Sequence, residues 1–285
     1  MTRAFRLIVV ALTAFGLAAA TTPARKLDDV KESGVLNAVV YYDNPPYSWE
    51  DPKTGEGRGI EADLARAVAR EMGLKLNLLV RIAGESADDD VRSNIWQGPR
   101  TGGLKGDVMF HVPTDREFIG RNQMAAISNP YHHEQFVIAV HPDLVTDTSS
   151  LDAFKTQKVS VRFSNAGHYF LAFTMDGQLK TNVSPYMQFN DAVDVFKKRE
   201  VAGLMGPRGD VEAALTGSGL DVEYITPEFP ATLVSAWNVG TAVHTDARDV
   251  GYAVGRALKK LEASGEMAKI FKKHGVTRVA PPTRR

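Results

Sequence analysis

Residues 39–73, VVYYDNPPYSWEDPKTGEGRGIEADLARAVAREMG, restrict the fold more than any other part of the chain. They run, in order, as a buried strand, a Pro-rich loop, a Gly-turned hairpin and an amphipathic helix. Three signals specify the helix. Leu64, Ala67, Val68 and Met72 recur at helical spacing, Glu61 and Asp63 lie in the first turn where the helix dipole favours carboxylates, and Gly73 supplies the stop. A strand feeding a helix through a short loop is the repeating unit of layered α/β architecture.

The alternation continues along the chain. Residues 36–41, 74–80 and 107–112 are predicted strands, and 136–140 is another after the loop at Asn129, Pro130 and Tyr131. A strand over 159–163, helices over 168–173 and 191–198 and a strand over 201–205 follow. No repeat or low-complexity segment interrupts this order. At 285 residues the chain exceeds what one small core usually serves and suits two compact lobes.

The first residues indicate where the protein works. Arg3 and Arg6 precede an apolar run over 7–18 that is too short to span a bilayer, and Ala18, Ala19 and Ala20 offer small residues for cleavage. Residues 1–20 are therefore predicted to be a secretory signal peptide, with no membrane anchor after it, and the mature protein is expected in the periplasm. The absence of cysteine removes both a lipid-anchored form and any disulfide framework. Removing Arg3 and Arg6 from 34 basic residues leaves 32 against 34 acidic, a net charge of −2. That balance offers no field for gathering nucleic acid or anionic lipid.

At Pro45, Pro46, Tyr47, Gly59, Ile60, Asp63 and Leu64 the chain resembles the family 3 extracellular solute-binding proteins. That family opens with a strand, a P-P-[FY] loop, then G-[FI]-x-x-D-L ahead of a helix ending in Gly. Asn129, Pro130 and Tyr131 resemble its S-x-P-Y-Y segment, and residues 247–275 resemble its closing A-L-x-x-L-x-x-x-G-x-x-x-x-I-x-x-K-x-G pattern. The resemblance implies the two-lobed α/β fold of type II periplasmic binding proteins. Lobe one would take residues 21–135 and 234–285 and lobe two residues 136–233, with two crossing strands as the hinge and the ligand cleft between the lobes.

Departures from that family bear on the ligand. In the run GDVMFHVPTDREF, residues 106–118, His111 and Pro113 stand where amino-acid receptors carry small hydroxylic residues. Arg116 is a candidate clamp for an anion; the alternative is a surface ion pair with Asp115 or Glu117. Ser164, Asn165 and Ala166 replace the family's G-T-T loop, and the position of its amine-binding Asp aligns with Pro207, followed by Arg208. These changes argue against a standard α-amino acid as ligand.

A narrower resemblance rests on residues 94–106, NIWQGPRTGGLKG, an insertion relative to amino-acid receptors, together with DVMFHVPTD. Both resemble the binding-protein branch associated with PQQ-dependent methanol dehydrogenases, the MxaJ and XoxJ type. This implies a non-catalytic accessory or maturation partner of a quinoprotein methanol dehydrogenase, with no cofactor of its own. The alternative is the substrate-binding component of an ABC importer, passing a small polar or anionic solute to its permease. A periplasmic dehydratase on the same fold is a further alternative. Candidate ligand- or partner-contacting residues are Tyr47, Trp49, Trp96, Phe110, His111, Arg116, Tyr131, Ser164, Asn165 and Arg208. The aromatic members offer large contact area at low entropy cost, and each serves equally well as a core residue.

Other chemistry finds less support. His111, His132, His133 and Glu134 carry metal-ligand atoms, but adjacent histidines on a strand point to opposite faces. Asp88, Asp89 and Asp90 lack the spaced oxygen pattern of a calcium loop, and no Gly-Lys-Ser or Gly-Lys-Thr follows Gly98, Gly102 and Gly103. Acid catalysis would draw on Glu134 or Asp115 with Arg116 or Arg208, and no Ser-His-Asp arrangement is recognisable.

Overall fold

In the computed structural model residues 23–100 and 102–282 are described, and the predicted signal peptide over residues 1–20 lies outside them. The chain runs α1 (Leu27–Ser33), β1 (Val35–Tyr41), β2 (Asp43–Asn44), β3 (Ser48–Glu50), β4 (Gly57–Arg58), α2 (Ile60–Glu71), β5 (Lys75–Arg81) and α3 (Ala87–Val91). A π turn, Arg92–Trp96, leads to β6 (Val108–Pro113), α4 (Arg116–Arg121) and the long β7 (Ala125–Val140). Then come β8 (Val159–Arg162), α5 (Ala166–Phe173), β9 (Val183–Tyr186), α6 (Phe189–Lys197), β10 (Gly203–Pro207), α7 (Arg208–Leu215) and β11 (Glu223–Ile225). The chain closes with β12 (Ala236–His244), α8 (Arg248–Ala263) and α9 (Glu266–Lys273).

Two strand arrays share β7. The first has the order β5-β1-β6-β12-β7, with β1 parallel to β5 and β6, and β12 antiparallel to β6 and β7. The second continues β7-β10-β8-β9, with β11 also pairing β7. Gln135 of β7 pairs Ala236 in the first array, and Phe136 pairs Pro207 in the second. One strand therefore crosses between the two lobes, and the return segment ahead of β12 lies beside it, Ser235 accepting from the Phe136 N–H at 2.8 Å.

Each array is covered on both faces, which is why central strands such as β1 are buried along almost their whole length. Leu64, Ala67 and Val68 of α2 pack with Val254, Leu258 and Leu261 of α8 and Phe271 of α9 over Leu36, Ala38 and Val40. The opposite face joins Val39, Met109 and Val112 to Ile95 and Phe118. In the second lobe Phe136, Phe170 and Phe229 stack, with ring centroids 5.5 and 4.2 Å apart.

Several elements differ from the sequence expectation for identifiable reasons. The strand expected over 136–140 is the far end of the 16-residue β7, because Asn129, at φ 54°, forms a bulge rather than a break. The helix expected from residue 168 begins at Ala166, since the Asn165 side chain caps it through the His168 N–H at 2.8 Å. The strand expected over 201–205 is shifted to Gly203–Pro207, where β7 supplies partners. The tail divides into two helices at Gly265, whose φ of 73° ends one and starts the next.

Candidate functional site

The first wall of the crevice grows from the Pro-Pro-Tyr loop. Its carbonyls cap α2: Ile60 N–H donates to Pro46 O at 3.1 Å and Glu61 N–H to Tyr47 O at 2.8 Å. Gly59 must be glycine here, since its φ is 109° and a Cβ would stand 2.4 Å from Tyr47 O. This turn drives the Glu61 side chain inward, where it is fully buried.

A buried carboxylate requires partners, and β6 and β7 supply them. Tyr131 Oη donates to Glu61 Oε1 at 2.5 Å, and His111 Nδ1 lies 2.6 Å from the same oxygen. The His111 N–H donates to Tyr131 Oη at 3.0 Å, closing a triangle. His111 reaches this position through a bulge. Between Met109 and Val112 strand β6 has two residues where β12 has only Thr241, and His111 sits at φ 59°. Burial lowers the His111 pKa, but Glu61, Asp210 and Glu134 together outweigh it, so the imidazole titrates above its ordinary value.

Tyr47 joins this wall to the connecting strand and to the second lobe. Its ring centroid is 4.8 Å from that of His111, and its hydroxyl donates to Glu134 Oε2. Glu134, 2 % exposed, also accepts from Gly209 N–H, 3.1 Å from Oε2, and from Gln135 N–H at 2.9 Å. Burial raises the Glu134 pKa, while His132, Tyr47 and the Gln135 amide more than offset it, leaving the carboxyl below its usual range. Gly209 opens α7, and a Cβ there would lie 2.3 Å from Tyr47 Oη and 2.8 Å from Glu134 Oε2. Only a glycine permits the lobes to meet this closely.

The side chain of the next residue, Asp210, makes no hydrogen bond or ion pair among the described residues. Burial and the neighbouring Glu134 push its pKa up to about 7, against the opposing influence of His111 and Arg162. Arg162, exposed at the end of β8, supplies the positive charge of this side.

The remaining candidates are dispersed. Ser164 is exposed at φ 59°, its Oγ 3.2 Å from Tyr169 Oη, and Asn165 is the cap of α5. Phe110 is fully buried among core residues of the first lobe. Trp96 packs beside Val91, Ile95 and Phe118, and Trp49 lies edge-on to His274, 6.0 Å away, on an outer groove with Asp63 and Lys273. Arg116 is exposed; Asp115 caps the Phe118 N–H and Glu117 pairs with Arg121, so neither holds it. Arg208 is engaged within the second lobe, its Nε donating to Glu212 Oε1 at 2.6 Å and its guanidinium 5.4 Å from the Tyr224 ring centroid. His132 packs on Phe271 with centroids 4.8 Å apart, whereas His133 Nδ1 lies 2.6 Å from Asn238 Oδ1. Tyr47, His111 and Tyr131 are thus brought together; Glu61, Asp210 and Arg162 join them without having been singled out as site residues from the sequence. Asp210, three residues beyond Pro207, was the recoverable signal among these.

No protein-family model and no curated protein matches the chain. Solved structures do. A polar amino acid ABC uptake transporter substrate-binding protein from Streptococcus thermophilus superposes with a TM-score of 0.71 at 16 % identity, over 90 % of this chain and 91 % of that one. An ancestral cationic amino acid solute-binding protein gives 0.67 at 20 % identity, over 87 % and 98 %. The L-cystine solute receptor of Neisseria gonorrhoeae, in its unliganded open conformation, gives 0.64 at 16 % identity, over 90 % and 98 %. At these identities the likeness establishes the fold, that of the type II periplasmic binding proteins.

Proposed function

We propose that this chain is an exported, periplasmic solute-binding protein that serves an ABC importer by closing its two lobes on a small polar solute. One observation carries this reading. Tyr47 of the first lobe, Glu134 of the connecting strand and Gly209 of the second lobe meet at one hydrogen-bonded point beside the crevice. A solute that bridges the two walls stabilises the closed form by its differential affinity for that form, and the permease reads the result. The structural likeness to an ABC uptake transporter substrate-binding protein supports the importer. Binding rather than catalysis fits the engagement of Glu134 by Tyr47 and of Arg208 by Glu212.

A second reading, the accessory partner of a quinoprotein methanol dehydrogenase, is favoured by one feature: the crevice is latched by the chain's own groups, Tyr47 to Glu134 and Glu134 to Gly209. Small-angle scattering and calorimetry on the mature chain separate the two. The importer reading expects saturable solute binding with a smaller radius of gyration, and Gly209→Val, which props the lobes apart, to weaken binding at least about tenfold. No binding of any solute, with retention of a dehydrogenase from periplasmic extract, would sink the importer and favour the accessory role.

A further inference from the structure

The chain continues past α9, and residues 275–279 fold back between the two lobes. Val276 enters the first-lobe core. Arg278 fixes the segment to that lobe, its Nε donating to Tyr131 O at 3.1 Å and its Nη1 to Glu262 Oε1 at 2.6 Å. Val279 fixes it to the connecting strand: its carbonyl accepts from His133 N–H at 3.0 Å, and its N–H donates to His132 Nδ1 at 3.2 Å. Between these anchors the segment reaches the second lobe. Thr277 N–H donates to Glu212 Oε2 of α7 at 2.6 Å, and the Thr216 hydroxyl donates to Gly275 O at 3.2 Å. A Cβ on Gly275 would collide with Thr216, so the two segments pass as closely as their backbones allow.

One face of α7 is therefore held against the first lobe along its whole length. Gly209 meets Tyr47 and Glu134, Ala213 packs on the first-lobe core, and Glu212 and Thr216 meet the tail. Their spacing of three and four residues is that of a single helical face. Glu212 is the critical member. It is buried, and Arg208 occupies Oε1 at 2.6 Å, so the Thr277 amide is what satisfies Oε2. A buried carboxylate oxygen that loses its donor costs more than the hydrogen bond contributed, unless water reaches it. Release of Thr277 is thus tied to hydration of Glu212. We propose that residues 275–279 are a strap that holds the lobes closed in the solute-free chain, and that opening requires Thr277 to leave Glu212. The same segment reaches the crevice indirectly: Val279 N–H occupies His132 Nδ1, which leaves the imidazole proton on Nε2, 3.9 Å from Glu134 Oε2. The strap sets how often the empty chain opens, a property separate from which solute it takes.

The test is double electron–electron resonance on the mature chain, unfolded in guanidinium and refolded so that it carries no solute, with spin labels at Ile82→Cys and Met187→Cys. The chain has no cysteine of its own, so the labels enter at these positions alone. Both residues are exposed and directly follow β5 and β9, the strands at opposite ends of the sheet order. They stand at the carboxyl ends of those strands, the side on which α/β sheets open to ligands, so opening lengthens their separation. The labelled parent should show one dominant, short separation. Glu212→Gln, which nearly preserves shape, and Thr277→Pro, which removes the donated N–H and leaves Glu212 in place, should each raise the ratio of long to short separations about tenfold. The double variant should open no further than either single one, because one contact can be lost only once. Cooperative thermal unfolding followed by circular dichroism checks that each variant is folded. A parent already at the long separation, folded variants with the parent's distribution, or a double variant whose effect is the product of the two single effects would each overturn the strap. Failure of the chain to bind any solute would sink the importer and leave these expectations standing.

Discussion

The two walls of the crevice are built on opposite principles. In the first lobe, Glu61 and Tyr131 are almost wholly buried and, with His111, hydrogen-bonded to one another, drawn from three different elements. In the second, Arg162 and Ser164 are exposed and Asp210 has no hydrogen-bonding partner. The first-wall network closes on Glu61 Oε1, while Glu61 Oε2 is buried without a partner among the described residues; a network so deep in the core is costly to disturb, whereas groups open to solvent respond to whatever enters. The first wall is therefore a preset surface, and the second holds the charge that a solute or a change of pH can alter.

The sharpest way to break this contrast is Glu61→Ala. It strips the acceptor from both Tyr131 and His111 inside the core, a loss of about 3 kcal/mol by analogy with broken buried pairs. Thermal unfolding followed by circular dichroism should show a midpoint roughly 6–12 °C lower. A fall of less than about 2 °C would mean that the first wall is not held by this network.

Much of the fold can be read from residue pattern, whereas the site depends on long-range placement. Leu64, Ala67 and Val68 identify α2 because burial of one helical face repeats every three or four residues. Glu61, in the same helix, looks like a first-turn carboxylate favoured by the dipole, and nothing local says that the Pro-Pro-Tyr loop rotates it into the core. The bulge that aims His111 depends on a register set with β12, more than a hundred residues away. Aromatic residues illustrate the same limit. Tyr47 and Tyr131 enter the crevice, while Trp49 and Trp96 pack elsewhere, and side-chain type alone cannot distinguish them. Asp210 has significance only because Gly209 lets α7 approach Tyr47.

Asp210→Asn sharpens the comparison by removing the titrating charge from the second wall. A carboxyl whose pKa rises to about 7 in the folded chain keeps its proton between roughly pH 4 and 7, where the unfolded chain has lost it. Its contribution to stability is thus fully present in acid, declines as pH rises through that window, and is flat above it. His111, also raised, acts in the same direction, and because Asp210 is one of the charges that raise it, the difference between parent and variant reports Asp210 together with its coupling to His111. Because Asp210 is only partly shielded from solvent, the penalty of ionising it is discounted to about 1–2 kcal/mol. The variant should melt roughly 2–6 °C higher than the parent at pH 8, with the advantage shrinking as pH falls. An equal difference at pH 5 and pH 8 would assign the change to something other than this ionisation.

The smallest effect compares like with like, since each wall contains a non-glycine residue at φ 59°, His111 in the first and Ser164 in the second. Such a conformation costs an L-residue about 1 kcal/mol, and glycine relieves it while adding a comparable entropic cost in the unfolded chain. At Ser164 little else is at stake: its Oγ meets Tyr169 Oη at 3.2 Å in an exposed setting, and its N–H reaches His168 Nδ1 only at 3.4 Å. Ser164→Gly should therefore shift stability by less than about 0.5 kcal/mol in either direction. At His111 the same relief is outweighed, because the glycine leaves Glu61 with Tyr131 alone in a sealed space. His111→Gly should cost about 2 kcal/mol, measured as a lower urea midpoint at unchanged m-value. Equal shifts for the two variants would show that the backbone conformation, rather than the hydrogen-bonded network, sets the behaviour of both walls.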